Sequence, residues 1–460
     1  MMDMALKGPV HFVGVGGSGM SPLAEILRAR GFSVSGSDAK DSATTRRLAC
    51  LGVRIHEGHA AAHLGHARTV VVSSAIKESN PELREARARG LDVLHRGDVL
   101  QAVMAPASVR VAVSGSHGKT TTTAMSMTVL AAAGFDPSAL VGAALRGTGS
   151  GARTGAVNAF VAEADESDRS FLKLRPTHVV VTNVDREHLD TYRDLADVTA
   201  AFKAFAQMTP ATGASVLCAD DPVLAALARD LGDRAWTYGS AEGSRVRGRI
   251  LNAPGGFARV EGEGPKGDFS FTLRLAGAMN GLNALGAMAL AQSLGISPAL
   301  AARALESFEG VARRLEWKGA RGGVDVWDDY GHHPTEIVAT LRALRERNPD
   351  RRIVTLFQPH RVTRTRALWD EFTQAFGLTD ELWLADIYPA GEPLEEGIDS
   401  QRLAAAITAR GVAARYAGNL GAAGDALSSA LRAGDLLLTL GAGNVVDVGE
   451  AFVKSKGRAA

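Results

Sequence analysis

The stretch from Val111 to Met125 reads VAVSGSHGKTTTTAM, and its residue types are those that hold a phosphate group. Apolar, β-favouring Val109, Val111 and Val113 stop at Gly115, and Gly118-Lys119-Thr120 follows at once with a helix-compatible tail. A buried strand, a tight turn and a helix start in that order point several backbone N–H groups at one spot, where the helix dipole also favours negative charge. Lys119 adds a full positive charge there, and Thr120 a hydroxyl suited to Mg²⁺. A standard phosphate loop would have its first glycine at Val113, so this is a shortened form with Gly115 and Gly118. The bland alternative is a Gly-Ser turn with a solvated lysine; the strand before it and the threonines after it favour the loop.

Two acidic clusters follow. Glu163-Ala-Asp165-Glu166-Ser167-Asp168 comes after an apolar run at Ala159–Ala162, and Asn183-Val-Asp185-Arg-Glu187-His188-Leu-Asp190 comes after Thr177–Thr182. Both fall just past the carboxyl ends of expected buried strands, where open parallel sheets keep their ligands. Acids beside a phosphate loop make sense if a divalent cation bridges phosphate oxygens, and Glu163 and His188 are each expected to reach a metal held over Thr120. The alternative is a solvated loop. Further on, His332-His333 follows Asp328-Asp329-Tyr330-Gly331, with Pro334 suited to the first helical position. Here the alternative is a capping turn. In Phe357-Gln-Pro-His360-Arg361-Val-Thr363-Arg364-Thr365-Arg366 the arginines are either forks for a carboxylate and a phosphate or a solvated helix face. Arg313-Arg314 lies in the link before this region, where it could swing positive charge onto a nucleotide when domains close.

A second glycine turn sits near the start. Val10–Val15 reads as a strand running into Gly14-x-Gly16-Gly17-x-Gly19, Met20–Arg30 has helical spacing, and Asp38 comes at the end of a second strand, Ser33–Ser37. Alone this is the dinucleotide fingerprint, so the naive expectation is an NAD-dependent oxidoreductase; any nucleotide diphosphate, however, fits the same helix N-terminus.

The elements that must position these groups alternate strand and helix throughout. A first unit ends near Ala105-Pro106-Ala107, with a strand at Thr69–Ser74 and a solvated helix at Pro81–Gly90. The second opens with the phosphate loop and carries alternating runs at Arg245–Ile250, Phe257–Val260 and Phe269–Leu275 that suggest a small antiparallel appendage, then a helix at Asn280–Leu294. The third has strands at Val324–Trp327, Arg352–Phe357, Glu381–Ala385 and Asp435–Leu440. Its helices are expected at Pro334–Arg347, Arg366–Phe376, Ser400–Arg410 and Ala422–Leu431. Three αβ domains in series are therefore expected, at residues 1–107, 108–314 and 315–460. A length of 460 residues suits three domains, each large enough for its own core. With 51 basic and 50 acidic residues there is no electrostatic case for nucleic acid or an anionic membrane. Cys50 and Cys218 have no metal-ligand spacing and are expected to be buried in a reducing compartment. The first ten residues lack the apolar core of a secretory signal, and no apolar run approaches the ~18 residues of a membrane helix. A cytoplasmic protein, monomer or homodimer, is expected.

Taken together, GVGGSGMS, VVSSAI, GSHGKTTTTAM, EADESDRSF, TNVDREHLDTY, RRLE, DDYGHHPTE, FQPHRVTRTR and LTLGAGN, in that order across nearly the whole chain, resemble the Mur ligase family. Within it the likeness is to members that join L-alanine to UDP-N-acetylmuramate. DDYGHHPTE and FQPHRVTRTR together are far more specific than any single loop. The resemblance implies a Rossmann-like first domain holding the UDP of a UDP-sugar, with Gly14, Gly16, Gly17, Ser18 and Gly19 at the diphosphate and Ser73 and Ser74 lining the pocket. It implies ATP on the central domain, at Gly115, Ser116, His117, Gly118, Lys119, Thr120 and Thr121, with Mg²⁺ at Thr120 and Glu163 and a second near His188 and Glu163. Asn280 and Asn283 match positions that read adenine, and Asp329 a position beside the nucleotide. Tyr330, His332, Arg361 and Arg364 match positions around the incoming amino acid and the transferred phosphate. The chain departs from the pattern at Met279, where the family has histidine; Met still covers a base face, and purine selectivity is what the change touches.

The chemistry agrees with the likeness. A carboxylate cannot form an amide directly, because oxide would have to leave, so it must first be activated as an acyl phosphate. Lys119, the metals and Arg314, Arg361 and Arg364 are expected to stabilise charge, and His332 to orient or deprotonate the amine. Two rivals share some of these residues: a nucleotide-driven switch without synthesis, and a related ligase that adds a recycled peptide.

Overall fold

The computed structural model describes residues 6–188 and 191–455. Asp190 of the second acidic cluster and the first residues of the expected amino-terminal segment lie outside that range. Three αβ sheets follow one another along the chain. The first has five parallel strands in the order Arg54–Glu57, Val34–Asp38, Val10–Val13, Thr69–Val72, Asp92–His95. Its centre reads as unbroken apolar sequence because helices cover both faces, so inward positions do not alternate with solvated ones. Val10, Phe12 and Val13 are fully buried, and so is the one polar member, His11.

The second sheet has ten strands. Val109–Ser114 lies between His178–Val181 and Ala156–Glu163, parallel to both. The register sets Val113 opposite Glu163 and Ser114 opposite Val181, so three strand ends open at one place. The runs expected as a small antiparallel appendage are Val246–Ala253, Phe257–Glu263 and Phe269–Ala276, which extend the same sheet at one edge. Their alternation comes from having only one covered face, as a sheet margin has.

The third sheet runs Glu316–Arg321, Val324–Asp329, Leu436–Leu440, Ile353–Phe357, Glu381–Ala385, Ala414–Gly418, antiparallel only in its first pair. Ile337, Leu341 and Leu344 of the helix Pro334–Arg347 pack on one face with Ile353 and Phe357. Ala423 and Leu427 pack with Val354 and Leu356 on the other. Each of these side chains larger than alanine contributes roughly 1.5–3 kcal/mol on burial. The helix expected at Arg366–Phe376 begins earlier and breaks at Leu368, giving Val362–Ala367 and Trp369–Gln374. The break turns Leu368 into the core, where it is 6% exposed. Short edge strands such as Arg54–Glu57 and Ala414–Gly418 escaped the pattern because they carry few buried residues.

By internal contacts the chain divides into two compact units. One holds the first sheet and most of the second, and the other holds the third sheet with residues 252–258 and 274–280. Among the described residues no helix is long and apolar enough to cross a membrane. Cys218 is buried as expected, but Cys50 is exposed. It lies two residues beyond buried Leu48 on the helix Ala43–Cys50, about 200° around the axis.

The helix expected to be solvated at Pro81–Gly90 spans Pro81–Ala88 and buries Glu82 completely. Its carboxylate accepts from Ser37 Oγ at 2.5 Å, His59 Nδ1 at 3.1 Å and His63 Nδ1 at 3.0 Å, with His11 Nε2 at 3.6 Å. Burial would raise its pKa, but hydrogen bonds from His11, Ser37 and His59 outweigh this and hold it at about 2. A carboxyl depressed in the folded state stabilises above its unfolded pKa, and that contribution fades as pH falls from about 4.5 towards 2. Glu82→Gln is therefore expected to cost about 2–3 kcal/mol at pH 7, with the gap to wild type narrowing at pH 3, in urea titrations at the two pH values.

Candidate active site

The phosphate loop forms where expected. The helix starts at Lys119, with Gly118 as its N-cap at φ +81° and without a side-chain cap, and Gly115 stands at φ +133°. A Cβ at Gly115 would fall 2.1 Å from Thr182 Oγ1, and one at Gly118 2.4 Å from Asn283 Oδ1. Both positions therefore need glycine on two counts. The amides at the head of the helix have no intrahelical acceptors, which suits an anion. Two amides of the turn itself are engaged differently from the expectation. Ser116 N donates to Asn183 O at 3.1 Å and His117 N to Asn183 Oδ1 at 2.8 Å. Asp185 N donates to Ser116 Oγ, and His117 Nε2 lies 3.0 Å from Asp185 Oδ2. The start of the second acidic cluster thus braces the loop.

Lys119 folds back over this turn. Its Nζ donates to Gly115 O at 2.6 Å, Ser116 O at 3.0 Å and Glu166 Oε1 at 2.7 Å. Burial would lower its pKa, but the charges of Glu166, Glu187 and Glu163 outweigh this and raise it. His188 Nε2 lies 3.3 Å from Glu166 Oε1 and 3.6 Å from Glu187 Oε2. Burial opposes its protonation, but Glu166 and Glu187 prevail and raise its pKa. Glu166, Glu187 and His188 have donor atoms within 4.8 Å of one another, and Glu166 Oε2 is buried with no hydrogen-bond partner. A hard oxygen-rich set with one unmatched carboxylate oxygen fits a divalent cation. The structure thus gathers His188 with Glu166 and Glu187, neither of them singled out from sequence. Glu163 Oε2 accepts from Gly142 N at 2.8 Å, and Thr120 is buried at the head of the helix beside Thr121.

The other carboxylates of the first cluster face the amino-terminal sheet. Arg96 Nη2 donates to Asp165 at 2.7 Å and to Asp168 at 2.9 Å. Ser74 Oγ donates to Asp168 at 2.6 Å, and His95 Nε2 lies 3.4 Å from it. A Cβ at Gly19 would stand 3.1 Å from Arg96 Nη1, so this guanidinium borders the glycine turn. That turn is held from beneath: Gly14 N and Val15 N donate to Ser37 O, Gly17 N to Gly14 O, and Gly16 N to Asp38 Oδ2 at 2.8 Å. Asp38, which a dinucleotide site would offer to ribose, is thus a brace for the turn. Ser18 is exposed at its tip and Ser73 half-buried nearby in sequence to Ser74. Asn283 is buried against Gly118, whereas Asn280 Nδ2 donates to Ala276 O at 2.8 Å and Met279 is 38% exposed.

In the carboxy-terminal unit the two histidines divide the roles proposed for them. His333 caps Pro334–Arg347, accepting from Thr335 N, while His332 stands edge-on to Tyr330 with ring centroids 5.4 Å apart. His332 Nδ1 lies 3.1 Å from Tyr330 O, and Glu336 accepts from His332 N and faces Arg314 at 3.5 Å. His332 neighbours His360 at 5.8 Å, and His360 stacks on Tyr388 at 5.5 Å. Burial, helped by Arg364 and Arg361, lowers the His360 pKa to about 4. Arg364 Nη1 lies 3.3 Å from His360 Nδ1, Arg361 Nε donates to Glu392, and Arg366 pairs with Glu395 on the exposed side. Arg361 and Arg364 therefore join the histidine cluster, and Arg366 alone is the solvated arginine. Asp329 accepts from Leu315 N at 2.6 Å and Gly331 N at 2.7 Å. Burial raises its pKa to about 6. Arg313 pairs with Asp328 and lies 5.1 Å from the Tyr330 ring centre, beside Arg314 at 5.3 Å.

Comparison with known proteins agrees with this arrangement. The Mur ligase family catalytic domain matches residues 9–107, the Mur ligase middle domain 113–291, and the Mur ligase glutamate ligase domain 313–443. A UDP-N-acetylmuramate–L-alanine ligase of Sorangium cellulosum is 48% identical over 446 residues, covering 95% of this chain and 94% of its own. One of Acidobacterium capsulatum is 47% identical, covering 97% of each. The crystal structure of the UDP-N-acetylmuramate-alanine ligase of Thermotoga maritima, 28% identical, superimposes with a TM-score of 0.83 over 97% of this chain and 98% of its own. With three family models matched in succession along the chain and relatives 47–48% identical over nearly all of it, the chain belongs to the Mur ligase family.

Proposed function

We propose that this chain is an ATP-dependent amide ligase that joins L-alanine to the lactyl carboxylate of UDP-N-acetylmuramate and releases ADP and phosphate, a step of peptidoglycan precursor synthesis in the cytoplasm. The observation that carries the reading is Lys119, paired with buried Glu166 at the head of an uncapped helix. A partly buried cation so placed is poised to meet an anion delivered to the head of the helix. With nucleotide bound, Lys119 turns from Glu166 to the β and γ phosphates, which the loop Gly115–Thr121 cradles. Glu166, Glu187 and His188 are the residues that would hold Mg²⁺, with Thr120 and Glu163 the further ligands that the family likeness implies. The bound cation supplies charge neutralisation across the phosphate oxygens.

The domain limits we assign are residues 1–107 for the UDP-sugar, 108–314 for ATP and 315–460 for the amino acid. Gly14, Gly16, Gly17, Ser18 and Gly19 take the diphosphate, and Ser73 and Ser74 border it. Asn280 and Asn283 read the adenine, with Asp329 beside the nucleotide. The lactyl carboxylate oxygen attacks the γ-phosphorus and ADP leaves, giving an acyl phosphate. The alanine amine then attacks the acyl carbon, and phosphate departs with the electron pair of the broken C–O bond. Because the Tyr330 carbonyl can only accept, His332 Nδ1 carries the proton of that bond, and Nε2 carries the lone pair that orients the amine. Arg314, Arg361 and Arg364 offset the negative charge of the carboxylate and the departing phosphate.

Phosphate release measured with ATP and UDP-N-acetylmuramate is expected to require L-alanine, and to be weaker with glycine, L-serine or a tripeptide. Release without any acceptor would point to a switch, and release best with tripeptide to the recycling ligase. Lys119→Ala is expected to lower turnover about a thousandfold or more in the same assay, since it removes a charge aimed at the transferred group. UDP-N-acetylmuramate, and not NAD, is expected to raise the melting temperature of the wild-type chain.

A further inference from the structure

We infer that Glu392 is a positioning residue that sets the Arg361 guanidinium for the α-carboxylate of the incoming amino acid. The inference rests on the reading of Arg361 as part of the amino-acid site. Arg361 stands at φ +71°, a left-handed conformation that a side-chain-bearing residue adopts only when its surroundings hold it there. Two sets of contacts do so, and both come from the segment that begins at Tyr388.

The backbone set joins Arg361 N to Tyr388 O and Tyr388 N to Pro359 O, each at 2.8 Å, around a parallel bridge between His360 and Tyr388. The side-chain set converges on Glu392. Its carboxylate accepts from Arg361 Nε at 2.5 Å, Thr363 N at 2.9 Å and Thr363 Oγ1 at 2.8 Å. The Arg361 bond to Glu392 is made through Nε, the nitrogen nearest the stem, so it fixes the plane of the guanidinium. An arginine stem is long and flexible, and fixing it beforehand removes an entropy loss that substrate binding would otherwise bear.

Comparison among the three arginines supports a special role. Arg366 also has a glutamate, but Glu395 is 41% exposed at its side chain, and Arg366 54%. Glu392 is 13% exposed and Arg361 30%, so their pair is far less screened. Arg364 is tied, among the described residues, to the neighbouring His360. Glu392 follows Pro389-Ala390-Gly391, a turn closed by Glu392 N to Pro389 O at 2.9 Å, so the carboxylate is itself held in place.

The test compares Glu392→Gln, Glu392→Asp and Thr363→Val by steady-state kinetics on each substrate in turn. Glu392→Gln is expected to raise KM for L-alanine about tenfold or more, with KM for ATP and UDP-N-acetylmuramate within about twofold of wild type. Glu392→Asp, which keeps the charge, should recover part of that loss. Thr363→Val removes one anchor of Glu392 without touching the Arg361 pair, and should leave KM for L-alanine within about twofold. An unchanged or lowered KM for L-alanine in Glu392→Gln, a fall confined to kcat, or an equal rise for all three substrates would overturn the assignment. So would Thr363→Val matching Glu392→Gln, because loop anchoring alone would then explain both. Far-ultraviolet circular dichroism and melting temperature identify a misfolded Glu392→Gln, in which case the Glu392→Asp result decides by the same criterion. If wild-type enzyme does not use L-alanine at all, the functional reading fails and not this one alone.

Discussion

A lysine ammonium and a glutamate carboxylate buried together constrain everything near the middle of the chain. Each of Lys119 and Glu166 offsets the other's desolvation, and removing one would leave a desolvated charge behind. The turn between Gly115 and Gly118 has the shape that lets Lys119 reach back to its own loop carbonyls as well as to Glu166. Asn183 and Asp185 hold that shape from the adjoining strand end. Because the sheet is parallel, the three strand ends that supply the loop, the first acidic cluster and the second all lie on one margin. The ion pair is possible only through that topology, and the helix that Lys119 opens follows from it.

The acidic stretch EADESD shows how short-range alternation can serve two sites. Glu166 looks to the phosphate loop, while Asp165 and Asp168 look to Arg96 beside the amino-terminal glycine turn. Asp168 also takes Ser74 and His95. What composition presents as a block of like charge is a set of carboxylates matched to two cations, Glu166 to Lys119 and the two aspartates together to Arg96. The same holds in the carboxy-terminal unit, where one histidine of a pair caps a helix and the other faces an aromatic ring.

Much of this was legible from sequence, and the limits have physical causes. The phosphate loop, the first glycine turn and the helix Pro334–Arg347 announce themselves because glycine and proline have local conformational effects that survive any tertiary setting. The buried parallel strands do so through continuous apolar runs. Partner choice was not legible. Nothing near Glu166 in sequence names Lys119, and Glu392 sits in a segment with no periodic pattern at all. Arg96 was passed over although it follows a strand end, since a basic residue at a helix start looks like surface. Cys50 was misjudged because its helix turns one side to solvent, and composition carries no angular information. Asp38 stood in the sequence as part of a dinucleotide fingerprint, and the amide of Gly16 claims it, a contact across 22 positions that no local pattern encodes.

The division of labour within residues 163–168 bears on how such enzymes can be recombined. The amino-terminal sheet closes on its neighbour through Asp165 and Asp168, and those two flank the residue that keeps Lys119 in check. A chimera that grafted a foreign first sheet, cut between Arg96 and Asp165, would leave half of this ion cluster behind on the recipient. The donor's arginine and the recipient's aspartates therefore have to travel as a matched set, or the transplanted sheet arrives without one of the ion clusters that fasten it.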